Sequence, residues 1–193
     1  VKNYNFGLKS NSTNSFTDAS EQILVTASGT ITNAGGGNDR VTGSDGADTL
    51  HGGDGADLIF AGNGDDMIYG NAGDDILYGE AGADTFHYTR GDGNDTLADF
   101  DQSDIIKYHG YSDTEVSSFS ESTDADGNTI ISLSDGASIT KKNYAPAGTI
   151  SISGNVKQGF TLTAVTTSLS DSDGLGTLSY QWLRDGADIA GAT

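Results

Sequence analysis

The sequence predicts an all-β chain: a parallel β-roll (β-solenoid) with β-strand flanking caps, followed by a partial β-sandwich segment. Two observations predict it. Residues 34–87 divide into six consecutive units of nine residues, with glycine at the fourth position and aspartate at the sixth position of every unit. The eighth position is large and apolar in all six units. A period that is kept at three positions indicates a repeat architecture rather than a disordered acidic linker.

Each unit combines a turn with a short strand. Positions 7 to 9 are long enough for a strand, and alternation sends position 8 to one face and positions 7 and 9 to the other. The first six residues can turn tightly because glycine tolerates positive φ. Without helices, such a chain coils with two units per turn, so that successive turns lie about 4.8 Å apart. The position-8 side chains then form a thin core, namely Val41, Leu50, Ile59, Ile68, Leu77 and Phe86.

The position-6 aspartates form two columns in this arrangement: Asp39, Asp57 and Asp75 in one, and Asp48, Asp66 and Asp84 in the other. Two carboxylates about 5 Å apart repel by roughly 1 kcal/mol even in bulk water. A hard divalent cation between successive loops removes this repulsion, and calcium prefers six to eight oxygens from carboxylates and backbone carbonyls. We therefore expect calcium ligands at the aspartates and in the glycine-rich loops, at Gly35, Gly37, Gly46, Gly53, Gly55, Gly64, Gly73 and Gly82.

The units resemble the nonapeptide GGxGxDxUx of RTX (repeats-in-toxin) proteins. They read AGGGNDRVT, GSDGADTLH, GGDGADLIF, AGNGDDMIY, GNAGDDILY and GEAGADTFH. The resemblance is strong over residues 34–87 and looser over residues 88–144. It implies ions between loops one turn apart, which pairs Asp39 with Asp57, Asp57 with Asp75, Asp48 with Asp66, and Asp66 with Asp84. A degenerate seventh unit offers a fifth site between Asp75 and Asp95, so the resemblance implies four or five calcium ions.

Three units depart from the RTX pattern. Ser44, Asn71 and Glu80 stand where the second glycine belongs. Residues other than glycine rarely adopt positive φ. The departures at Asn71 and Glu80 therefore put the backbone geometry of the last two turns in question.

The remaining sequence suggests flanks and a second domain. We expect an N-terminal β cap at 1–33, the roll at 34–100, a C-terminal β flank at 101–144 and a partial immunoglobulin-like domain at 145–193. The stretch SYQWLRDG resembles the first half of a bacterial immunoglobulin-like repeat, with Trp182 as its core tryptophan. Since such a domain needs about 100 residues and residue 1 is Val, we expect a fragment or a processed product.

Two outward-facing pairs form an apolar patch on the predicted roll. Leu58 and Phe60 belong to the third unit, and Ile76 and Tyr78 to the fifth. An apolar patch of this kind should not stay exposed to water. We therefore expect a flanking strand to cover it.

The charge excludes several classes of partner. The formal net charge is −19, from 28 acidic and 9 basic residues. Nucleic acid requires a basic surface, and no stretch approaches the about 20 apolar residues of a membrane span, so neither nucleic acid binding nor membrane insertion is expected. The absence of cysteine excludes a disulfide framework.

The sequence also lacks the signature of an enzyme. It contains no GxSxG, HExxH or P-loop motif. His51 and His87 share a face, but Tyr69 lies between them, and His109 has no partner that the sequence identifies. Asp99, Asp101 and Asp104 could provide the carboxylate pair that glycoside hydrolysis requires. Nothing in the sequence selects a pair, and these residues are typical of a flank that caps the roll.

Three functions remain open from the sequence. The first is a non-catalytic, extracellular calcium-binding module of a secreted or cell-surface adhesin, whose surface or polysaccharide ligand would be bound by other domains of the host protein. By resemblance, such chains leave the cell unfolded through a one-step (type I) secretion channel and fold when they meet calcium. The second is an accessory module of a secreted hydrolase, lyase or epimerase. The third is direct carbohydrate binding by the tyrosine and phenylalanine columns.

Overall fold

The computed structural model describes residues 2–6, 13–16 and 18–143, together with the short segments 151–154, 162–165, 183–184 and 187–188. The chain divides into two compact units, Val1–Asn143 and Tyr144–Thr193.

Two sheets make up the first unit. The nine-stranded sheet contains, in spatial order, β1 (Lys2–Phe6), β3 (Glu21–Val25), β5 (Arg40–Thr42), β7 (Leu58–Phe60), β9 (Ile76–Tyr78), β11 (Asn94–Leu97), β15 (Ser138–Lys141), β14 (Thr129–Ser132) and β13 (Ser120–Thr123). The six-stranded sheet contains β12 (Ile105–His109), β10 (Thr85–Thr89), β8 (Met67–Ala72), β6 (Thr49–Asp54), β4 (Ile31–Gly36) and β2 (Thr13–Ser15).

Successive strands of the repeat region alternate between the two sheets. Strands two apart in sequence pair in parallel with an offset of two nonapeptides, as Val41 with Ile59 in one sheet and Leu50 with Ile68 in the other. A chain that alternates in this way coils, and the result is a parallel β-solenoid of about five turns. This confirms the predicted fold, with two nonapeptides in each turn.

The core lies between the two sheets and is one side chain deep along each strand. All six position-8 residues are at most 2% exposed, whereas the neighbours at positions 7 and 9 are half-buried or exposed in almost every strand. The predicted alternation is therefore correct. A core this narrow buries few apolar atoms per turn, so the polar loops at its edges contribute strongly to the stability of the roll.

The coil begins before the first glycine-rich unit. β3 pairs with β5 and β4 pairs with β6 in the same register of two nonapeptides, and Ile23 continues the buried row below Val41. The segment that the sequence suggested as an N-terminal cap thus contributes a further turn of the same solenoid.

The C-terminal flank extends both sheets. β12 adds to β10 with an offset that is longer than the regular one by two positions, and β15 adds to β11 in parallel before β14 and β13 return antiparallel. A four-residue helix, α1 (Asp113–Val116), begins after Ser112, and its Glu115 pairs with Arg90 at 2.5 Å. Among the described residues, no helix is long and apolar enough to span a membrane.

The expectation that a flanking strand covers the outer apolar patch is wrong for the described part of the chain. The flanking strands lengthen the sheets at their edges instead of crossing the outer face, and Ile76 stays 43% exposed. The rings of Phe60 and Tyr78 stack on each other with centroids 4.6 Å apart, and the guanidinium of Arg40 lies 4.5 Å from the Phe60 ring centroid. Neighbours in the same sheet therefore provide part of the cover that a further strand was expected to give.

The second unit is described only at four strands. β16 (Ser151–Gly154) pairs with β17 (Leu162–Val165), and β18 (Leu183–Arg184) pairs with β19 (Ala187–Asp188), both antiparallel. The predicted core tryptophan, Trp182, lies outside the described residues, as does most of the predicted immunoglobulin-like segment.

Candidate metal centre

The position-6 aspartates form two buried columns, one at each edge where the chain passes between the sheets. In the first column the backbone N–H of Asp39 donates to Oδ1 of Asp57 at 2.7 Å, and that of Asp57 donates to Oδ1 of Asp75 at 2.8 Å. All the position-6 aspartates are 1–3% exposed. Each carboxylate is thus held against the backbone of the preceding turn by a charge-assisted hydrogen bond.

The second column repeats this geometry on the opposite edge. The N–H of Asp48 donates to Oδ1 of Asp66 at 2.7 Å, and the N–H of Asp66 donates to Oδ1 of Asp84 at 2.8 Å. The four aspartate pairs that the RTX resemblance implied are therefore neighbours one turn apart in the structure.

Both columns continue into the C-terminal flank with a two-residue lengthening. Asp75 N–H donates to Oδ1 of Asp95 at 3.1 Å, and Asp84 N–H donates to Oδ1 of Asp104 at 2.9 Å. Sequence reasoning found Asp95 but regarded Asp104 as an ordinary flank residue. The signal was present, because the same lengthened spacing separates both pairs and Ile106 lies opposite Phe86 as a position-8 residue would.

Four of the aspartates have one oxygen without a hydrogen-bond partner. The Oδ2 atoms of Asp39, Asp57, Asp66 and Asp75 are buried and unpartnered. A buried carboxylate oxygen that has lost water and gained no donor is costly. A cation bound between the loops would satisfy these oxygens, so the donor set fits the hard divalent ion that the sequence implies.

Burial also shifts the ionisation of the columns. Desolvation, and secondarily the neighbouring aspartates, raises the pKa of Asp57 and Asp66 to about 6, that of Asp75 to about 7 and that of Asp95 to about 8. The hydrogen bonds to Oδ1 oppose this shift without cancelling it. In the absence of a cation, burial therefore shifts the columns toward the protonated form, and a bound cation would favour the ionised form.

The position-4 glycines direct carbonyl oxygens into the space between loops. Gly55 and Gly73 have φ of 127° and 147°, and a Cβ atom on Gly73 would overlap the carbonyl oxygen of Gly55 in the preceding turn. The same overlap would occur between Gly82 and the carbonyl of Gly64. Only glycine allows this approach, which brings the carbonyl oxygen of one turn against the backbone of the next turn. A calcium ion between the loops would need backbone oxygens of this kind as further ligands.

The departures from the repeat pattern are accommodated in the last two units. Asn71 and Glu80 adopt φ of 66° and 64°, in the left-handed region that glycine occupies at this position in Gly53 and Gly62. The sequence put the backbone geometry of these turns in question, but both residues keep the positive φ of the regular units.

No cluster of three or more His, Cys, Asp or Glu side chains suited to a metal ion occurs among the residues that the structure describes. This is expected if each site has two carboxylates from successive turns, because the other ligands must then be backbone oxygens.

The histidines form a ladder instead of a metal site. Tyr69 stacks between His51 and His87, with ring centroids 4.2 and 4.1 Å away. Sequence reasoning found no partner for His109, but its Nε2 lies 2.8 Å from Nδ1 of His87. The centroids of these two rings are 5.0 Å apart and their planes differ by 10°, so the rings meet edge to edge in a hydrogen bond. A tetrahedral zinc ion bound by both nitrogens would hold them about 3.3 Å apart.

Two of the flank carboxylates that were candidates for a glycosidase pair accept hydrogen bonds from nearby backbone groups. Asp99 accepts from the N–H groups of Gly79 and Glu80, both at 2.9 Å. Asp101 accepts from the N–H and hydroxyl of Ser103 at 2.7 and 2.5 Å. These contacts cap turns of the roll, which is a structural role.

Comparison with known families identifies the repeats. The family model of the RTX calcium-binding nonapeptide repeat (four copies) matches residues 33–68, 51–86 and 60–97. The chain carries RTX calcium-binding repeats. RTX repeats are structural calcium-binding modules and not catalytic ones. A search of curated proteins finds no match to this chain.

Proposed function

We propose that this RTX chain is a structural, calcium-dependent module of a secreted or cell-surface protein, and that it folds as calcium binds. The observation that carries this proposal is the set of four buried aspartate oxygens without a hydrogen-bond partner. A structure that buries such oxygens is incomplete without a cation. The residues that would hold the ions are Asp39, Asp57, Asp66, Asp75, Asp84 and Asp95, together with loop carbonyls such as those of Gly37, Gly55, Gly64 and Gly73.

Calcium is the ion that suits these ligands. The donors are carboxylate and carbonyl oxygens, which hard cations prefer, and magnesium requires a near-ideal octahedron and gives up its water reluctantly. The site has no fixed octahedral set of side chains among the described residues. We therefore expect selectivity for calcium over magnesium.

Binding and folding are coupled in this proposal. The core is one side chain deep, and the carboxylate columns repel in the absence of a cation. Because a complete turn of the roll separates the two aspartates of a site in sequence, the unfolded chain does not present a preformed site, so the free energy of binding becomes free energy of folding. Four bound ions would change the formal charge from −19 to about −11, which reduces self-repulsion.

The need for calcium favours an extracellular location for this module. A chain without cysteine cannot be stabilised by disulfides, and calcium bound outside the cell would provide the missing stabilisation. This favours an extracellular module of an adhesin-like host protein. The chain would leave the cell unfolded and fold outside it. An accessory module of a secreted hydrolase, lyase or epimerase is the alternative. The calcium-binding role would be the same in both hosts.

Direct carbohydrate binding has less support. Sugars stack on exposed aromatic faces, but the faces of Phe60 and Tyr69 are occupied by Tyr78, Arg40 and the two histidines of the ladder. A glycan array with the calcium-loaded chain tests this: specific binding would restore the carbohydrate hypothesis, and no binding would leave the structural role.

Far-ultraviolet circular dichroism during a calcium titration tests the proposed function. Starting from calcium-depleted protein, we expect a cooperative rise in β signal that magnesium at the same concentrations does not reproduce. A chain with full β signal before calcium is added, and no change afterwards, would refute the coupling of folding to calcium.

A further inference from the structure

The loop formed by residues 43–48 differs from the other five glycine-rich loops. In those loops the residue at position 2 has positive φ, even where it is Asn71 or Glu80, and so does the glycine at position 4. In loop 43–48 neither Ser44 nor Gly46 has positive φ. The carbonyl groups of this loop are therefore oriented differently from those of the regular loops.

Ser44 also donates to the carboxylate oxygen, Oδ2, that four of the other five loops leave without a hydrogen-bond partner. Its backbone N–H donates to Oδ2 of Asp48 at 3.0 Å, and its hydroxyl donates to the same oxygen at 2.7 Å. The other oxygen, Oδ1, accepts from the N–H of Thr30 at 2.9 Å. Both oxygens of Asp48 are thus satisfied within the protein, unlike those of Asp39, Asp57, Asp66 and Asp75.

The turn that precedes this loop offers no acidic partner. In the second column, the position one turn before Asp48 is the neutral Thr30, and a Cβ atom on Gly46 would lie 2.6 Å from Cβ of Ser28. In the first column, the corresponding position before Asp39 is the acidic Glu21. The second column therefore begins at Asp48 with an uncharged neighbour.

We infer that Ser44 takes the place of a calcium ion at this loop, so that the pair Asp48–Asp66 does not form a calcium site. The serine supplies two hydrogen-bond donors where the regular loops require a cation, in the way that a capping residue satisfies the end of a helix. The inference rests on the proposed calcium binding. It reduces the five sites that the resemblance implied to four, formed by Asp39–Asp57, Asp57–Asp75, Asp75–Asp95 and Asp66–Asp84, and it removes Asp48 and Gly46 from the ligands that the sequence suggested. The pair Asp84–Asp104 is not counted, because Oδ2 of Asp104 already accepts from the N–H of Asp101 at 2.9 Å.

The number of calcium ions bound per folded chain tests this inference. Native mass spectrometry and isothermal titration calorimetry on the full chain would compare wild type with Ser44→Gly, Asp48→Asn and Asp66→Asn. We expect Ser44→Gly to bind one additional ion, because glycine removes the hydroxyl donor to Asp48 Oδ2 and permits the positive φ of the regular loops, which would turn the remaining N–H donor away from that oxygen. We expect Asp48→Asn to keep the wild-type number and Asp66→Asn to lose at least one ion.

Ser122→Gly is the matched control, since it makes the same change at an exposed serine of β13, outside the glycine-rich loops, and it should leave the number unchanged. If Asp48→Asn binds one ion fewer than wild type, Ser44 does not replace calcium and the inference is overturned, while the proposed function stands. A wild-type chain that binds no calcium would instead refute the proposed function. If Ser44→Gly does not fold, the comparison of Asp48→Asn with Asp66→Asn decides.

Discussion

The backbone N–H of Asp57 donates to Oδ1 of Asp75 one turn further on, at 2.8 Å, while Oδ2 of the same Asp75 has no partner. One oxygen thus joins two turns, and the other is available to the calcium ion that we propose between them. The sixth position requires a side chain with two such oxygens, one for the backbone hydrogen bond and one for the proposed ion, which accounts for the aspartate there.

Removal of one charge from the first column should weaken calcium binding. Asp57 faces Asp39 on one side and Asp75 on the other, so it serves two proposed sites. Loss of a buried charged partner costs about 1–3 kcal/mol, so we expect Asp57→Asn to raise the calcium midpoint of folding by about tenfold or more. Circular dichroism at increasing calcium measures this midpoint. Asp54→Asn, at an exposed position of the same loop, is the control and should shift it by less than twofold.

Truncation of a buried isoleucine should destabilise the roll more than truncation of an exposed isoleucine on the neighbouring strand. Ile59 is 0% exposed, whereas Ile76 is 43% exposed. Ile59→Ala should cost about 2–5 kcal/mol of stability because it opens a cavity in a core one side chain deep. Ile76→Ala should cost much less. Thermal unfolding at saturating calcium measures both, and equal losses would show that the position-8 row is not the core.

Without calcium, the folded chain should be more stable at acidic pH than at alkaline pH. Burial raises the pKa of Asp57 to about 6 and that of Asp75 to about 7, from 3.8. A carboxyl group with a higher pKa in the folded chain binds more protons when folded, so its contribution to stability is present at low pH and is lost as pH rises through about 6 to 7.

We therefore expect calcium-depleted protein to show more β signal in circular dichroism at pH 5 than at pH 8. Asp57→Asn should reduce this difference, and Asp126→Asn, at an exposed position of the C-terminal flank, should not. A weaker β signal at pH 5 than at pH 8 would contradict the link between burial of the columns and stability.

The histidine pair should hold the C-terminal flank against the last regular turn. His87 is 8% exposed and its Nε2 has no partner, so Nδ1 provides the hydrogen bond to His109 on β12. His109→Ala leaves both ring nitrogens of His87 unsatisfied, which should cost about 1–3 kcal/mol. Thermal unfolding measures the cost. Lys107→Ala, at a neighbouring exposed position of β12, is the control, and an equal effect of both would mean that the pair is not stabilising.

The regular part of this molecule could be predicted because period and alternation fix it. Once position 8 is known to point inward, Ile59 and Leu77 must lie in one row, and Asp57 and Asp75 must be neighbours one turn apart. Asp104 was missed because the two-residue lengthening hides the period, and the contact between His87 and His109 depends on that same shift. Ser44 was recognised as a departure, but only hydrogen-bond geometry shows that its hydroxyl reaches Asp48. Asn71 and Glu80, by contrast, keep the positive φ of the regular units.

The most direct test is a crystal structure of the calcium-loaded chain with anomalous difference density for calcium. We predict peaks between the loops that carry Asp39 and Asp57, Asp57 and Asp75, Asp75 and Asp95, and Asp66 and Asp84, and none between Asp48 and Asp66. Density that places calcium away from both aspartate columns would contradict the central claim that ions between successive turns complete this fold.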